Sequence, residues 1–484
     1  MGRVEDILLS FVAAHPRAGR AVARLASFVT LAVALCAGAP AAADGGGDAS
    51  GARAAPVSGL LHDDRAIVTW LKQRHHALLA AQARVAQARA DVGAARILLP
   101  NPQVDVTLGG IGVGRGNYTL PPGTPLGFND TSNIGVGITQ TIELGKRGPR
   151  VEAAELRAES AGKGWEDALG DRVAEARSAL ARVAYLKARM VLLEDNMEGA
   201  RRSADLQKAR LDRGAVSGSD YDRLLLDNIS LEADIARARA DLEAALSTCA
   251  GIMLAPCDAA AAQIADVDAA APLPAQVAAM SDEIDKRPDV QAARLEGAAA
   301  EKDAVLAERR AIPDPSLRVG FTHDNYLAGG SQPNTFQITL TVPLPIFDHG
   351  QHDAAKARAR ALEQRYVANG LAAVAQRDFA GLLSRKAFVE SARRTLDTVA
   401  VPKSTGILDA TTKAFEQGQV SMTDLLLARR THLSLVLTQM DLHFEHFSVR
   451  SDLRHTLALD AVAPSGDAGS RDSAGPSRPP AGSR

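Results

Sequence analysis

The chain is poor in aromatic residues, which make up 4% of its 484 residues. Large aromatic side chains dominate the cores of many globular proteins. Their scarcity, together with abundant alanine, predicts thin cores between closely packed helices. The chain also lacks an excess of one charge, because 55 Lys and Arg residues face 57 Asp and Glu residues. A formal net charge of −2 does not indicate a nucleic-acid-binding protein.

Long apolar runs are missing after about residue 40, so the sequence predicts no transmembrane helix in the mature chain. Before that point, three arginines precede the apolar run LASFVTLAVALCAGA, and APAAADGGG follows it. This order is typical of an export signal, with cleavage after Ala41 or Ala43. We predict a signal peptide over 1–43, with an uncleaved N-terminal membrane anchor as the alternative.

Cysteine is rare, with three residues in the chain. Cys36 lies in the predicted signal peptide, but Leu35 stands where a lipidation site favours a small residue, and lipidation stays open. Cys249 and Cys257 bracket AGIMLAP. In an oxidising compartment they could form a disulfide, and two unpaired thiols are the alternative.

Two segments interrupt an otherwise helical pattern, and both alternate between apolar and polar residues. They are predicted as β-hairpins over 102–144 and 315–347. Period-two alternation is the signature of strands with one apolar face. The residues predicted for that face are Val104, Val106, Leu108, Ile134, Val136, Ile138, Leu317, Val319, Phe321, Phe336, Ile338 and Leu340.

Each hairpin follows a helix that ends at proline and precedes a long helix, a short turn and another helix. The two turns read alike, RGAVSGSD over 213–220 and QGQVSMTD over 417–424; we call them the first tip and the second tip. The chain therefore contains two copies of one unit. Repeat 1 is predicted over 60–255 and repeat 2 over 281–462, with an inter-repeat segment over 256–280.

The long helices are predicted over 149–212 and 350–416, and each would span roughly 100 Å at 1.5 Å per residue. Pro402 is expected to kink the second. Apolar residues at coiled-coil spacing predict that the helices pack in long pairs. The remaining predicted segments are a linker over 44–59, helices over 221–247 and 425–460, and a disordered tail over 463–484.

Four amphipathic strands cannot stand alone in a lipid bilayer, because open edges leave backbone groups unpaired at several kcal/mol each. Four strands are also too few to close a barrel wide enough for passage. An apolar outer face and a polar inner face are typical of outer-membrane barrels. We therefore predict that strands from several chains combine, although this reasoning does not give the number of chains.

The duplicated unit, the two tips and the segment RPDVQAARLEGAAAEKDAVLAERRAIPDPSL resemble the TolC-like outer-membrane factor family over about residues 60–460. The resemblance implies a mainly α fold with a small β part. In it, two structural repeats of long coiled-coil helices plus β-hairpins form a trimeric twelve-stranded outer-membrane β-barrel on a periplasmic α-helical barrel. LPNPQVDV, QTIELGKRGPRVEAAE and VPLPIFDHGQ are similar to the heavy-metal, CzcC-like branch of the family.

That branch implies a passive exit duct for divalent heavy-metal cations such as cobalt, zinc and cadmium, in the outer membrane of a Gram-negative bacterium with a large periplasmic part. The implied partners are two further copies in a homotrimer, a periplasmic membrane-fusion adaptor, an inner-membrane resistance-nodulation-division pump and outer-membrane lipid, without nucleic acid or a cofactor. The alternatives are the same duct for drugs or secreted proteins, a periplasmic coiled-coil adaptor or scaffold, and a periplasmic metal-binding protein.

In this family the tips contact the adaptor and close the channel at rest. The resemblance assigns adaptor contact to Gly214, Val216, Ser217, Gly418, Val420 and Ser421. It assigns the constriction to Asp220, Asp424 and Leu427, the last at a position where relatives carry a second aspartate. A carboxylate ring there would attract cations and respond to pH. The alternative is that each Asp only stabilises the first turn of its helix.

Two further patterns carry less weight. GGIGVGRG follows a predicted strand but precedes no helix, so we interpret it as an exposed loop rather than a phosphate cradle. Two histidine pairs have helical i, i+3 spacing, His349 with His352 and His443 with His446. Isolated pairs are weak evidence for a metal, and no nucleophile or acid–base set stands out. We predict no metal site, no catalytic residue and no enzyme.

Overall fold

A computed structural model of the chain describes residues 54–109, 133–324 and 333–460. The predicted signal peptide, Cys36, most of the predicted linker and the predicted tail lie outside the described residues. So does GGIGVGRG beyond its first glycine. Among the described residues, no helix is both long and apolar enough to cross a membrane.

The described chain is mainly helical with a small β part, as expected. Its strands are β1 (Ala55–Pro56), β2 (Gln103–Gly109), β3 (Asn133–Thr141), β4 (Cys257–Asp258), β5 (Ser316–Asp324) and β6 (Asn334–Thr341). Its α-helices are α1 (Val57–Leu61), α2 (Asp64–Arg74), α3 (His76–Ala95), α4 (Arg147–Asp212), α5 (Gly218–Met253), α6 (Ile264–Ala269), α7 (Pro288–Glu308), α8 (Gln351–Thr395), α9 (Val401–Glu416) and α10 (Met422–Thr456).

The two hairpins join into one four-stranded antiparallel sheet in the order β2–β3–β5–β6. The strands β2 and β6 form its edges. One apolar row across the sheet is Val104, Ile138, Val319 and Ile338, and the next is Val106, Val136, Phe321 and Phe336. Because side chains alternate along each strand, this register puts the apolar residues of both repeats on one face.

The helices below the sheet pack lengthwise. The helix that precedes each hairpin, α3 or α7, packs against α4, and α7 also packs against α8. The antiparallel pairs α4 with α5 and α9 with α10 form two helical hairpins, and α4 contacts α10. Alanines fill much of the α4 interface, since Ala176, Ala181 and Ala184 are fully buried. Small side chains let the helix backbones approach closely, which fits the thin cores expected from the composition.

The predicted linker over 44–59 is wrong at its C-terminal end. Ala55 pairs with Cys257 as strand β1 aligns parallel with β4, and Ala55 and Val57 are fully buried. Cys257 is also joined to Cys249 as a disulfide, with 6.2 Å between the Cα atoms. A two-residue strand is too short to show a periodic pattern. The sequence therefore did not predict that β1 pairs with β4.

The long helix predicted over 350–416 also needs correction. A π-helical turn, Leu396–Ala400, separates α8 from α9, and Pro402 is the second residue of α9. Proline has no N–H to donate to the preceding turn, and a π-turn accommodates that loss within a helix. The corresponding helix of repeat 1, α4, runs without interruption for 66 residues.

Candidate functional site

The two tips have the same backbone geometry. Gly214 and Gly418 have φ of +73° and +72°, a left-handed conformation that closes each preceding helix. The Gly214 N–H donates to the Leu211 carbonyl at 2.8 Å, and the Gly418 N–H donates to the Phe415 carbonyl at 3.0 Å. The chain therefore reverses direction in the same way twice.

Serine side chains begin the next helix at both tips. The Ser217 hydroxyl accepts the Asp220 N–H at 3.2 Å, and the Ser421 hydroxyl accepts the Asp424 N–H at 3.2 Å. At the second tip the Ser421 N–H also donates to the Asp424 carboxylate, which completes a reciprocal capping box. The Asp424 carboxylate thus takes part in capping its helix, whereas among the described residues the Asp220 carboxylate accepts a hydrogen bond only from the Ser217 hydroxyl.

The two carboxylates differ in their surroundings. Hydrogen bonds from the Ser421 hydroxyl and backbone N–H lower the pKa of Asp424, which is exposed. Asp220 is half-buried and lies 3.6 Å from the Arg223 guanidinium. The residue equivalent to Arg223 in the second tip is Leu427, whose side chain is 64% exposed. A carboxylate therefore stands beside a cation at the first tip and beside an apolar side chain at the second, while the constriction role of these residues stays a prediction.

The tips of the two repeats lie together. A buried cluster joins them, consisting of Leu224, Phe415, Met422, Leu425 and Leu426, with Val420 packed against it. The Arg210 guanidinium lies over the Phe415 ring, 5.3 Å from its centre. Arg430 donates to the Asp227 carboxylate at 2.6 Å, from one hairpin to the other. All six residues predicted for adaptor contact thus belong to one end of the helical hairpins.

The apolar face of the sheet is uncovered. The register places all twelve predicted residues on that face. Ile134 is half-buried and the others are exposed, up to 66% at Val104 and 69% at Phe336. A contiguous apolar face of this kind marks contact with lipid or with another protein.

The opposite face is polar and holds an ion pair that the sequence did not reveal. Arg318 on β5 reaches across β3 to Asp105 on β2, with 3.0 Å between Nε and Oδ1 and a second, parallel contact from Nη2 to Oδ2. Gly137 lies beneath the pair, and a Cβ there would be 2.6 Å from Nη2. The strand needs glycine at this position because the guanidinium occupies the space of a side chain.

A second group of charges, which the sequence did not predict, links both ends of the described part of the chain to α4. Arg177 is fully buried and donates to Asp460 at 2.7 Å and to Asp64 at 3.0 Å. Arg454 contacts the same two carboxylates, at 2.6 Å to Asp64 and 3.0 Å to Asp460. Arg177 lies in an alanine-rich helix, where the sequence gave no signal of its burial.

His443 and His446 of α10 have different surroundings and do not act as a pair. His443 lies between Asp268, 2.6 Å from Nδ1, and Asp397, 3.2 Å from Nε2. The hydrogen bond with Asp268 raises the pKa of His443 against the opposing effect of burial. Burial lowers the pKa of His446 to about 4, and its Nδ1 has no hydrogen-bond partner.

The other predicted pair is solvent-exposed, since both His349 and His352 lie on the surface. Within the ranges that the structure describes, no group of three or more His, Cys, Asp or Glu residues is arranged to hold a metal ion.

Comparison with known proteins places these features in a family context. The family model described as outer membrane efflux protein matches residues 68–251 and 279–442. The cobalt-zinc-cadmium resistance protein CzcC of Cupriavidus metallidurans is 26% identical over 293 residues, which are 60% of this chain and 68% of that protein.

Solved structures share the fold. CusC superposes with a TM-score of 0.68 at 17% identity, covering 81% of this chain and 91% of that one. The outer membrane protein VceC of Vibrio cholerae gives 0.65 at 19% identity, covering 82% and 96%. The MtrE channel of Neisseria gonorrhoeae in its open state also gives 0.65 at 19% identity, covering 82% and 88%.

Proposed function

Because the chain belongs to the outer membrane efflux protein family, we propose that three copies of it form the passive exit duct of a tripartite efflux system. The cargo is divalent heavy-metal cations, delivered by a resistance-nodulation-division pump through a periplasmic adaptor. The family assignment agrees with the resemblance noted in the sequence and places the protein in the outer membrane.

The four-stranded sheet carries this proposal. Its apolar face is uncovered, and its edge strands β2 and β6 are free to pair outside the sheet. Since neighbouring strands in the sheet are antiparallel, β2 and β6 run in opposite directions, so β6 of one copy can add to β2 of the next. Three copies would supply twelve strands with the apolar face toward lipid and the polar face toward water.

The paired tips support the remaining contacts. They bring equivalent turns of both repeats to one end of each chain, so a trimer would present six turns to an adaptor. The exposed carboxylate of Asp424 beside Leu427 would line the narrowest part of the duct. A duct gains nothing by holding its cargo tightly, so this proposal requires no resident metal.

The cargo assignment is supported by the likeness to a protein named for cobalt, zinc and cadmium resistance, at 26% identity. We would test it with a deletion strain grown on graded zinc, cobalt, cadmium and copper beside a panel of drugs and detergents. Sensitivity to metals alone, restored by the intact gene, supports metal efflux. Drug sensitivity with normal metal tolerance would keep the duct and refute the metal cargo.

Two controls sharpen this experiment. A gene lacking 213–220 and 417–424 should fail to restore growth, because both tips are gone. Outer-membrane fractionation should recover the intact protein as a heat-sensitive trimer, whereas a periplasmic adaptor or scaffold would not be extracted from outer membranes in that form.

A further inference from the structure

The polar face of the sheet carries few charges. Among the described residues of that face, the charged side chains are Asp105, Arg318 and Asp324, and Asp324 stands at the end of β5. The rest is mainly Thr, Gly and Gln, as in the row Asp105, Gly137, Gly320 and Gln337. The middle of this face thus has one acid and one base, and they are paired.

The pair lies flat on the sheet. The guanidinium of Arg318 crosses β3 above Gly137, and a Cβ at Gly320 would be 3.2 Å from Nη1. The contact is bidentate, the strongest geometry for an arginine and a carboxylate. Both side chains keep part of their surface open, 30% for Arg318 and 40% for Asp105. Their charges therefore reach the space above the sheet, where they cancel.

The two residues are counterparts in the duplicated unit. Asp105 is the third residue of β2, and Arg318 is the third residue of β5, the first strand of the other hairpin. The two copies carry opposite charges at this one position, and the two side chains bind each other.

We propose that Asp105 and Arg318 together determine the ion preference of the sheet region by keeping it neutral. This inference rests on the proposed function, in which the polar face lines the duct. In a trimer, β2 and β5 would alternate around the lumen and give a ring of three acids and three bases at one level. Such a ring attracts neither cations nor anions, so the choice of cargo is left to other parts of the pump.

The test uses a thiol as a local probe of potential. Thr107 is exposed on the polar face, two residues from Asp105 on the same strand, so about 7 Å along it. In the full-length protein in outer-membrane vesicles, Thr107→Cys would be reacted with cationic and anionic methanethiosulfonate reagents. The ratio of the two rates reports the local charge, and the parent chain gives the background.

Removing one partner should change this ratio. At about 0.01 M salt, where screening acts over about 30 Å, Arg318→Gln should raise the cationic-to-anionic ratio about fivefold and Asp105→Asn should lower it similarly. Near 1 M salt both changes should nearly vanish. Every chain carries Thr107→Cys. The double variant and the swapped pair, Asp105→Arg with Arg318→Asp, should return the ratio close to that of Thr107→Cys alone.

Arg309→Gln is the matched control, because it removes the same charge from the turn before the sheet and should leave the ratio unchanged. A ratio that stays constant in both single variants would overturn the inference and leave the duct intact. If Thr107→Cys reacts with neither reagent while Phe336→Cys on the apolar face reacts with both, the polar face does not line a water-filled route, and the proposed function fails as well.

Discussion

The two repeats differ in how their long helices pack against the neighbouring helices. In repeat 1, the long helix α4 is continuous, and Leu193, Met197 and Ala200 pack into an apolar cluster with α5. In repeat 2, the corresponding stretch is the π-turn Leu396–Ala400. Asp397 of that turn contacts Arg393, Gln439 and His443 through hydrogen bonds and ion pairs.

At this level of the long helix, repeat 1 is held by apolar packing and repeat 2 by polar contacts. Apolar packing does not change with pH in the physiological range, whereas the contacts of His443 do. Repeat 2 is therefore the copy whose stability we expect to depend on solution conditions.

The largest effect should come from removing the buried ion pair between Arg177 of repeat 1 and Asp460 of repeat 2. Asp460→Ala would leave the buried guanidinium of Arg177 without its closest partner. Breaking one side of a buried pair costs about 3–5 kcal/mol, and we expect the free energy of unfolding to fall by about 3 kcal/mol, since Asp64 and its contact with Arg177 remain. Denaturant unfolding followed by circular dichroism would measure this loss.

Asp234→Ala is the matched control for that substitution. Its partner Arg237 is 3.5 Å away and both side chains are more than half exposed, so the change should be below about 1 kcal/mol. Equal effects of the two substitutions would contradict the role assigned to the buried group.

His446 gives the next largest effect. Its pKa is about 4 in the folded protein against 6.5 for the ordinary side chain, so between these values the unfolded chain binds the proton more strongly. Stability should therefore fall as the pH drops from about 6.5 toward 4, by at most about 3 kcal/mol. His446→Leu should remove this part of the loss, and an unchanged pH profile in that variant would contradict the assignment.

His443 should show the opposite dependence. Its pKa is raised by Asp268 and Asp397, so its contribution is complete below pH 6.5 and is lost as the pH rises through its folded pKa. We expect His443→Gln to be less stable than the wild type by about 1–2 kcal/mol at pH 6, with the difference shrinking at pH 8 to 9.

Arg393 and Arg450 also face this group, and His443→Gln leaves both in place. A difference between wild type and variant that stays constant from pH 6 to 9 would mean that the charge of His443 contributes nothing.

The smallest expected effect comes from removing the serine caps at the two tips. Ser217→Ala and Ser421→Ala each remove a helix cap, which costs about 1 kcal/mol. The loss should be smaller for Ser421, because its backbone N–H still donates to the Asp424 carboxylate after the substitution. Hydrogen exchange in the first turns of α5 and α10 would measure the two losses separately, and equal protection losses would show that the reciprocal bond adds nothing.

The sequence predicted the parts of this structure that depend on neighbours along the chain. Alternation located the strands, and the glycines and serines of the tips located both turns. Contacts between distant residues left no such pattern. No sequence pattern near Asp105 or Arg318 predicts their ion pair. The register of β3 with β5 brings the two residues together only after both hairpins form. The π-turn was equally hidden, because Pro402 predicts an interruption but not its geometry.

The open sheet also has a consequence for how much of this protein a cell can make. A single copy in water exposes an apolar face and two strand edges, which are templates for pairing with any extended chain. Unassembled copies that outnumber their partners would therefore aggregate through these edges. We expect synthesis to be matched to assembly, so that surplus subunits are degraded rather than stored.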